Sequence, residues 1–191
     1  VWRRSNKPEM KPMVSFVAKV ISKARYHNGE AIDGVVKRMC MEFVGSNNVP
    51  YFIGEGILGS RVCGGRKAAK SRYLKILPNT WWLNHVFRAE DDPILDYYMD
   101  EGDQVEPEFY LPVIPMTLVN EVWSVATGYS SYIPAHHPLD IIDYYIRRLR
   151  EQYVTTIHPW YRGFKGSISV VDRRGLGKNT DDQDEVAEKR A

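Results

Sequence analysis

Cysteine is scarce in this chain. Cys40 and Cys63 are the only two in 191 residues. Two isolated cysteines make neither a zinc-ligand pattern nor a disulfide framework, so they read as free thiols of a reducing compartment. Long apolar runs are also missing. No stretch approaches the roughly 18 consecutive apolar residues of a membrane-spanning helix, and no secretory hydrophobic core follows the first residue. That residue is Val1 rather than Met, so the sequence is expected to be a piece of a longer chain. No internal repeat is present.

Acidic residues are few in the first half. From Val1 to Arg88, 5 Asp and Glu stand against 16 Lys and Arg; from Ala89 to Ala191 the ratio is 19 to 10. The formal charge of +2 therefore hides halves of +11 and −9. A half this basic is the electrostatic footprint of a phosphate-binding surface. The competing reading is chance segregation of solvated charge. With 43% hydrophobic and 26% charged residues, the composition is that of a globular chain with one domain or two small ones.

Met13, Phe16, Val17, Val20 and Ile21 recur at helical spacing, which predicts an amphipathic helix over 13–24 after Pro12. Tyr26-His27-Asn28-Gly29 reads as a turn. Ile32, Val35, Val36, Met39 and Phe43 line one face of a second helix over 30–43, which Gly45-Ser46-Asn47-Asn48 would end. Two helices joined by a short glycine-containing turn suggest a helix-turn-helix. The glycine-rich stretch from Tyr51 to Gly59 would suit a wing, and 74–77 reads as a strand. Residues 81–87 read as helical. Asp92 is expected to cap a helix that Pro93 opens. The proline-rich stretch 105–118 reads as an extended segment and 119–133 as a loop with strand pieces. Pro138 is expected to open a helix to about Gln152, and the polar tail 180–191 to be disordered.

The run Gly64-Gly65-Arg66-Lys67-Ala68-Ala69-Lys70-Ser71-Arg72-Tyr73 carries the most chemistry. A phenol, with a pKa of about 10, is a poor nucleophile unless a charged group sits beside it. Arg72 stands next to Tyr73 and is suited to stabilise a phenolate or the phosphate it attacks.

Several segments taken in order resemble type IIA DNA topoisomerases, more closely the eukaryotic and large-DNA-virus type than the bacterial one. Tyr26-His27-Asn28-Gly29-Glu30 resembles the family's Tyr-His-His-Gly-Glu. Phe43-Val44-Gly45-Ser46-Asn47-Asn48 matches directly, Gly59-Ser60-Arg61 resembles Gly-Thr-Arg, and Gly64-Gly65 with Arg72-Tyr73 follows. Val105-Glu106-Pro107-Glu108-Phe109-Tyr110-Leu111-Pro112, Ile114-Pro115-Met116, Thr127-Gly128-Tyr129 and the run from His158 to Gly166 continue the match. It covers about Trp2 to Ile168.

The resemblance implies a mixed α/β (α+β) fold. A winged-helix cleavage domain would span residues 1–110, the beginning of a tower domain 111–170, and a tail 171–191. Tyr73 would be the nucleophile that forms a transient 5′-phosphotyrosyl link to DNA, with Arg72 stabilising charge on the phosphate. Arg61, Arg66, Lys67 and Lys70 would hold the DNA backbone, and Val125 would take the place of the family's DNA-bending isoleucine wedge. The other tyrosines, Tyr26, Tyr51, Tyr97, Tyr98, Tyr110, Tyr144 and Tyr145, lack such a basic setting and are expected to pack. The family's partners and cofactors would be double-stranded DNA, a second copy of the chain, and ATPase and metal-binding domains absent from this sequence, which would bind ATP and Mg2+. The location implied is the nucleus, with a viral factory as the alternative.

The sequence departs from the family pattern at four places. Asn28 stands where the family has the histidine nearest the scissile phosphate. Asparagine donates a hydrogen bond there but carries no charge and transfers no proton. One residue fewer after Glu30 makes His27 the other candidate, though loss of the histidine is the favoured reading. The wedge loop has Glu121, Trp123 and Ser124 in place of Gly, Glu and Gly. The basic Gly-Leu-Lys-Pro segment is missing, and no Asp-x-Asp cluster is expected to replace the family's metal site. The match fades after about Ile168. These departures motivate two rival readings: a catalytically inactive DNA-binding remnant, and an interaction piece of a split enzyme.

Overall fold

The computed structural model describes residues 9–26, 28–169 and the pair 188–189. Two helices and a small sheet build the first layer. α1 (Met13–Ala24) starts directly after Pro12 and ends at Arg25, which enters the left-handed region at φ 48°. α2 (Gly29–Cys40) is capped by Asn28, whose Oδ1 accepts the Ala31 N–H at 3.2 Å. It ends three residues short of the expected Phe43. Asn47 explains the early stop: its Nδ2 donates to the carbonyls of Arg38 and Met41 at 2.7 and 2.9 Å, taking up acceptors that a longer helix would bond internally.

Three strands, β1 (Lys11–Pro12), β2 (Phe52–Glu55) and β3 (Lys75–Pro78), form an antiparallel sheet in the order β1-β3-β2. The register pairs Gly54 with Ile76 and Glu55 with Lys75, whose side chains meet at 3.3 Å. Met13, Val17, Val36, Cys40, Phe52, Leu74 and Ile76 close over one another as the first core. Each aliphatic side chain fully buried here contributes about 1.5–3 kcal/mol. This core backs the sheet with both helices and leaves most of the 56–74 connection between β2 and β3 on the surface, with Leu74 turned into the core.

The second half is looser. α3 (Thr80–Val86) follows β3. A 3₁₀ helix spans Ala89–Ile94 with Pro93 inside it, so the expected start at Pro93 behind an Asp92 cap is corrected: the helix begins four residues earlier and ends just after the proline. β4 (Tyr97–Asp100) and β5 (Asp103–Pro107) make a hairpin whose tip is tied back to α1. Arg25 bonds Asp100, Glu101 and Asp103 at 3.2, 3.0 and 2.6 Å. α4 (Met116–Val119) interrupts the stretch expected to be extended.

Residues 119–133, expected as a loop with strand pieces, contain a regular hairpin of β6 (Val122–Ala126) and β7 (Tyr129–Ile133) turning at Thr127-Gly128. α5 (Pro138–Leu149) opens at Pro138 as expected. β8 (Ile168–Ser169) pairs with β9 (Glu188–Lys189), so this pair within the expected disordered tail is a strand. Residues 170–187, 190 and 191 lie outside the described residues.

A second core of Val86, Ile114, Met116, Val119 and Ile141 takes in Val49, Tyr51, Trp82 and Phe87 from the first half. Tyr51 packs against both cores, whereas Tyr26, Tyr98, Tyr110 and Tyr145, expected to pack, are exposed. Asn48 joins the two halves. It is 4% exposed; its Nδ2 donates to the carbonyls of His136 and Trp160, and its Oδ1 accepts the Arg162 N–H.

Candidate nucleic-acid interface and nucleophile

The 56–74 connection is long but knitted to itself. Ser60 O accepts the N–H groups of Cys63 and Gly65 at 3.2 and 2.9 Å, and Ile57 O accepts that of Ala69 at 2.8 Å. The loop crosses itself where Gly59 meets Gly65. A Cβ on Gly59 would lie 2.4 Å from the Gly65 carbonyl oxygen, and Gly59 has φ +113°, so only glycine fits. These glycines hold a tight platform from which the basic side chains project.

Tyr73 ends a 3₁₀ turn, Ser71–Tyr73, at the exit from this loop. Its N–H donates to Lys70 O at 2.9 Å. The next residue, Leu74, is 1% exposed, and its carbonyl accepts the Met13 N–H at 2.9 Å. With Leu74 driven inward, its neighbour faces out, and Tyr73 is 70% exposed. Its hydroxyl has no hydrogen-bond partner among the described residues. The Arg72 guanidinium carbon lies 5.4 Å from the Tyr73 ring centroid, a cation–π contact that keeps the positive charge beside the phenol.

Arg61, Arg66, Lys67, Lys70 and Arg72 are all exposed. None of the five pairs with a carboxylate among the described residues, in contrast to Arg25, Lys37, Lys75 and Arg147, which do. The loop thus presents five uncompensated cations around one exposed phenol, the arrangement that attracts and holds a phosphate backbone.

The other expected contacts are placed as follows. His27 lies outside the described residues. Asn28 is exposed, and its oxygen is committed to capping α2, which leaves its Nδ2 group to donate. Val125 is 75% exposed on β6, opposite Ser130 in the register, on the same strand face as exposed Trp123. Glu121, at φ 53°, accepts the Tyr132 hydroxyl at 3.1 Å, and Tyr132 also meets the Tyr161 hydroxyl at 3.2 Å. That bond to Tyr161, then burial, then the Glu121 charge push the Tyr132 phenol well above its ordinary range.

Cys40 and Cys63 are both free, and burial pushes the Cys40 thiol up to about 12. Among the described residues, no group of three or more His, Cys, Asp or Glu is placed to hold a metal ion, and no helix is long and apolar enough to cross a membrane.

Sequence reasoning missed three connections. Ser71 on the nucleophile turn donates to Asp33 on α2. Arg25 is clamped by the β4–β5 tip. Asn48 staples residues 136, 160 and 162. Only the Asp33–Lys37 spacing of four within a predicted helix offered a local signal for any of these.

The family profile for the A-type subunits of DNA gyrase/topoisomerase IV matches residues 1–188. The chain is 39% identical over 171 residues to the mitochondrial DNA topoisomerase 2 of Dictyostelium discoideum, covering 87% of this chain and 13% of that protein. It is 35% identical over 173 residues to DNA topoisomerase 2 of Saccharomyces cerevisiae, covering 90% and 12%. With DNA topoisomerase 2 of Invertebrate iridescent virus 6 the identity is 39% over 184 residues, covering 93% and 15%.

Among solved structures, the Plasmodium falciparum topoisomerase II DNA-binding, cleavage and re-ligation domain superposes with a TM-score of 0.80 at 32% identity. That match covers 87% of this chain and 23% of that one. The chain thus spans only 12–15% of the length of these three relatives. A profile that matches nearly every residue and a shared fold at this identity settle the family: the chain belongs to the type IIA DNA topoisomerases.

Proposed function

We propose that this chain is a DNA breakage-rejoining module of an ATP-dependent type II DNA topoisomerase, with Tyr73 as its nucleophile. The observation that carries the reading is the exposed Tyr73 hydroxyl beside Arg72, on a loop whose cations have no carboxylate partners among the described residues. The solved relative of the same fold is described as a DNA-binding, cleavage and re-ligation domain.

In the proposed reaction, Tyr73 Oη attacks a backbone phosphorus. The phenol loses its proton, the P–O3′ bond breaks, and O3′ gains a proton as it leaves as a hydroxyl. Attack by that hydroxyl reverses the step, so the phosphodiester energy is kept in the phosphotyrosyl bond. Arg72 offsets the charge that grows on the phosphate. Arg61, Arg66, Lys67 and Lys70 hold the backbone in register without reading sequence. Asn28, through its free amide group, donates to the phosphate, with His27 beside it. Val125 on its exposed hairpin unstacks a base step.

Cutting both strands takes two copies of Tyr73, so the working form is a homodimer on double-stranded DNA. The described residues supply no ligand set for Mg2+. We assign the metal and ATP to domains outside this chain. Residues 1–110 are assigned to the cleavage domain and 111–170 to the start of the tower, and the location to the nucleus or a viral factory. Tyr73→Phe tests the core of the proposal in the protein that carries this chain: DNA cleavage is expected to vanish with DNA binding intact. Cleavage that persists would refute the assignment. DNA binding without covalent linkage in the unsubstituted protein would favour the inactive remnant.

A further inference from the structure

The nucleophile turn is fastened to α2 by a side chain two residues before Tyr73. Ser71 Oγ donates to Asp33 Oδ1. The other carboxylate oxygen of Asp33 holds Lys37 Nζ at 2.7 Å, one helical turn along α2. Both side chains are mostly shielded from solvent, so the carboxylate is held on two sides by charge-assisted contacts.

The turn also lies against α1 and β1, but its own backbone holds it weakly. A three-residue 3₁₀ segment has poor internal hydrogen-bond geometry and weak intrinsic stability. Its exit is secured by buried Leu74 and the Met13–Leu74 bond. On its entry side the nearest backbone anchor is Ala69 to Ile57. Between these points, among the described residues, Ser71 is the side chain that hydrogen-bonds a helix, while the Arg72 and Tyr73 side chains project outward and touch each other.

We propose that Ser71 and Asp33 are positioning residues for the Tyr73 nucleophile. The Ser71–Asp33 bond sets the Ser71-Arg72-Tyr73 turn so that the phenol and the guanidinium face the same phosphate together. Lys37 holds the carboxylate in place and offsets its negative charge beside a polyanion. This inference rests on the reading of Tyr73 as nucleophile.

The test uses the protein that carries this chain, with duplex DNA and Mg2+, and reads covalent protein–DNA complex after denaturation. Ser71→Ala is expected to slow complex formation at saturating DNA by roughly 10- to 100-fold, because misplacing a reacting group by about 1 Å costs that much. The DNA dissociation constant is expected to stay within about twofold. Ser71→Thr, which keeps the hydroxyl, is expected to restore most of the rate. A bond serving stability alone would lower the melting temperature and leave the rate below it unchanged.

Tyr73→Phe run alongside separates the two claims. An unaltered rate in Ser71→Ala, with Tyr73→Phe inactive, overturns the positioning role and leaves the nucleophile standing. Covalent complex in Tyr73→Phe overturns both. A 3-fluorotyrosine label at Tyr73 gives a readout independent of cleavage: its ¹⁹F signal is expected to shift and narrow in Ser71→Ala as the turn is released. An unchanged signal refutes the proposal, even if the unsubstituted protein forms no covalent complex.

Discussion

Asn48→Ala would cut the staple between the two halves of the chain. The asparagine is 4% exposed and makes three hydrogen bonds: to the His136 carbonyl at 3.2 Å, to the Trp160 carbonyl at 3.0 Å and from the Arg162 N–H at 2.8 Å. A net contribution of about 1 kcal/mol per bond applies, less for the partners that water can reach once the side chain is gone. Adding a small cavity term gives a loss of about 2–4 kcal/mol. For a chain of this size that is a fall in Tm of roughly 5–15 °C.

Urea unfolding followed by tryptophan fluorescence measures it. Asn48→Asp sharpens the test. It keeps the acceptor for Arg162 N–H but turns a carboxylate oxygen toward two carbonyl oxygens. Lone-pair repulsion favours the protonated form in the folded state, so the introduced carboxyl has a raised folded pKa. The stability that this variant retains is therefore fully present below the unfolded value of about 3.9 and is lost as pH rises through the folded pKa. A loss under about 0.5 kcal/mol for Asn48→Ala, within the range of an ordinary surface substitution, would refute the argument that this side chain holds the halves together.

Three further outcomes follow from the geometry. Gly59→Ala places a methyl 2.4 Å from the Gly65 carbonyl oxygen at φ +113°, so the loop must open at a cost of about 1–3 kcal/mol. Faster proteolysis within residues 56–74 would show it, and an unchanged cleavage pattern would contradict it. DNA binding is expected to weaken with salt, and Lys70→Ala to lower the slope of log K against log salt by about 0.9 if that amine neutralises one phosphate; an unchanged slope removes Lys70 from the interface. Cys40, buried with its thiol pushed up to about 12, is expected to resist maleimide at pH 8 while the more accessible Cys63 reacts. Mass spectrometry of the labelled, folded protein decides this.

Much of the fold was legible because the apolar spacing was clean. α1 and α5 begin where Pro12 and Pro138 put them, and α2 sits on its predicted face. Its C-terminus was misjudged because Asn47 competes for the carbonyls of Arg38 and Met41, a contact that periodicity does not report. The β6–β7 hairpin was legible only as strand pieces in a loop, for a different reason. Its strands are exposed on both faces, so no alternation of apolar and polar residues marks them.

At the site, Tyr73, Arg72 and the basic loop were readable as a motif, and the structure puts them on one exposed platform. Asn28 was read as a departure from the family's chemistry, and its role as the N-cap of α2 gives it a local structural reason. The brace from Ser71 to Asp33 spans 38 positions and the clamp from Arg25 to Glu101 spans 76. Tertiary partners at such separations leave no local trace in a single sequence.

The most direct test of the central claim is to trap the linkage itself. The protein that carries this chain is incubated with supercoiled DNA and Mg2+ alongside the ATPase and metal-binding parts, denatured, and digested for peptide mapping. The account predicts DNA attached through a phosphotyrosyl bond at Tyr73, absent in Tyr73→Phe. DNA bound but never attached, or attached at another residue, would contradict it.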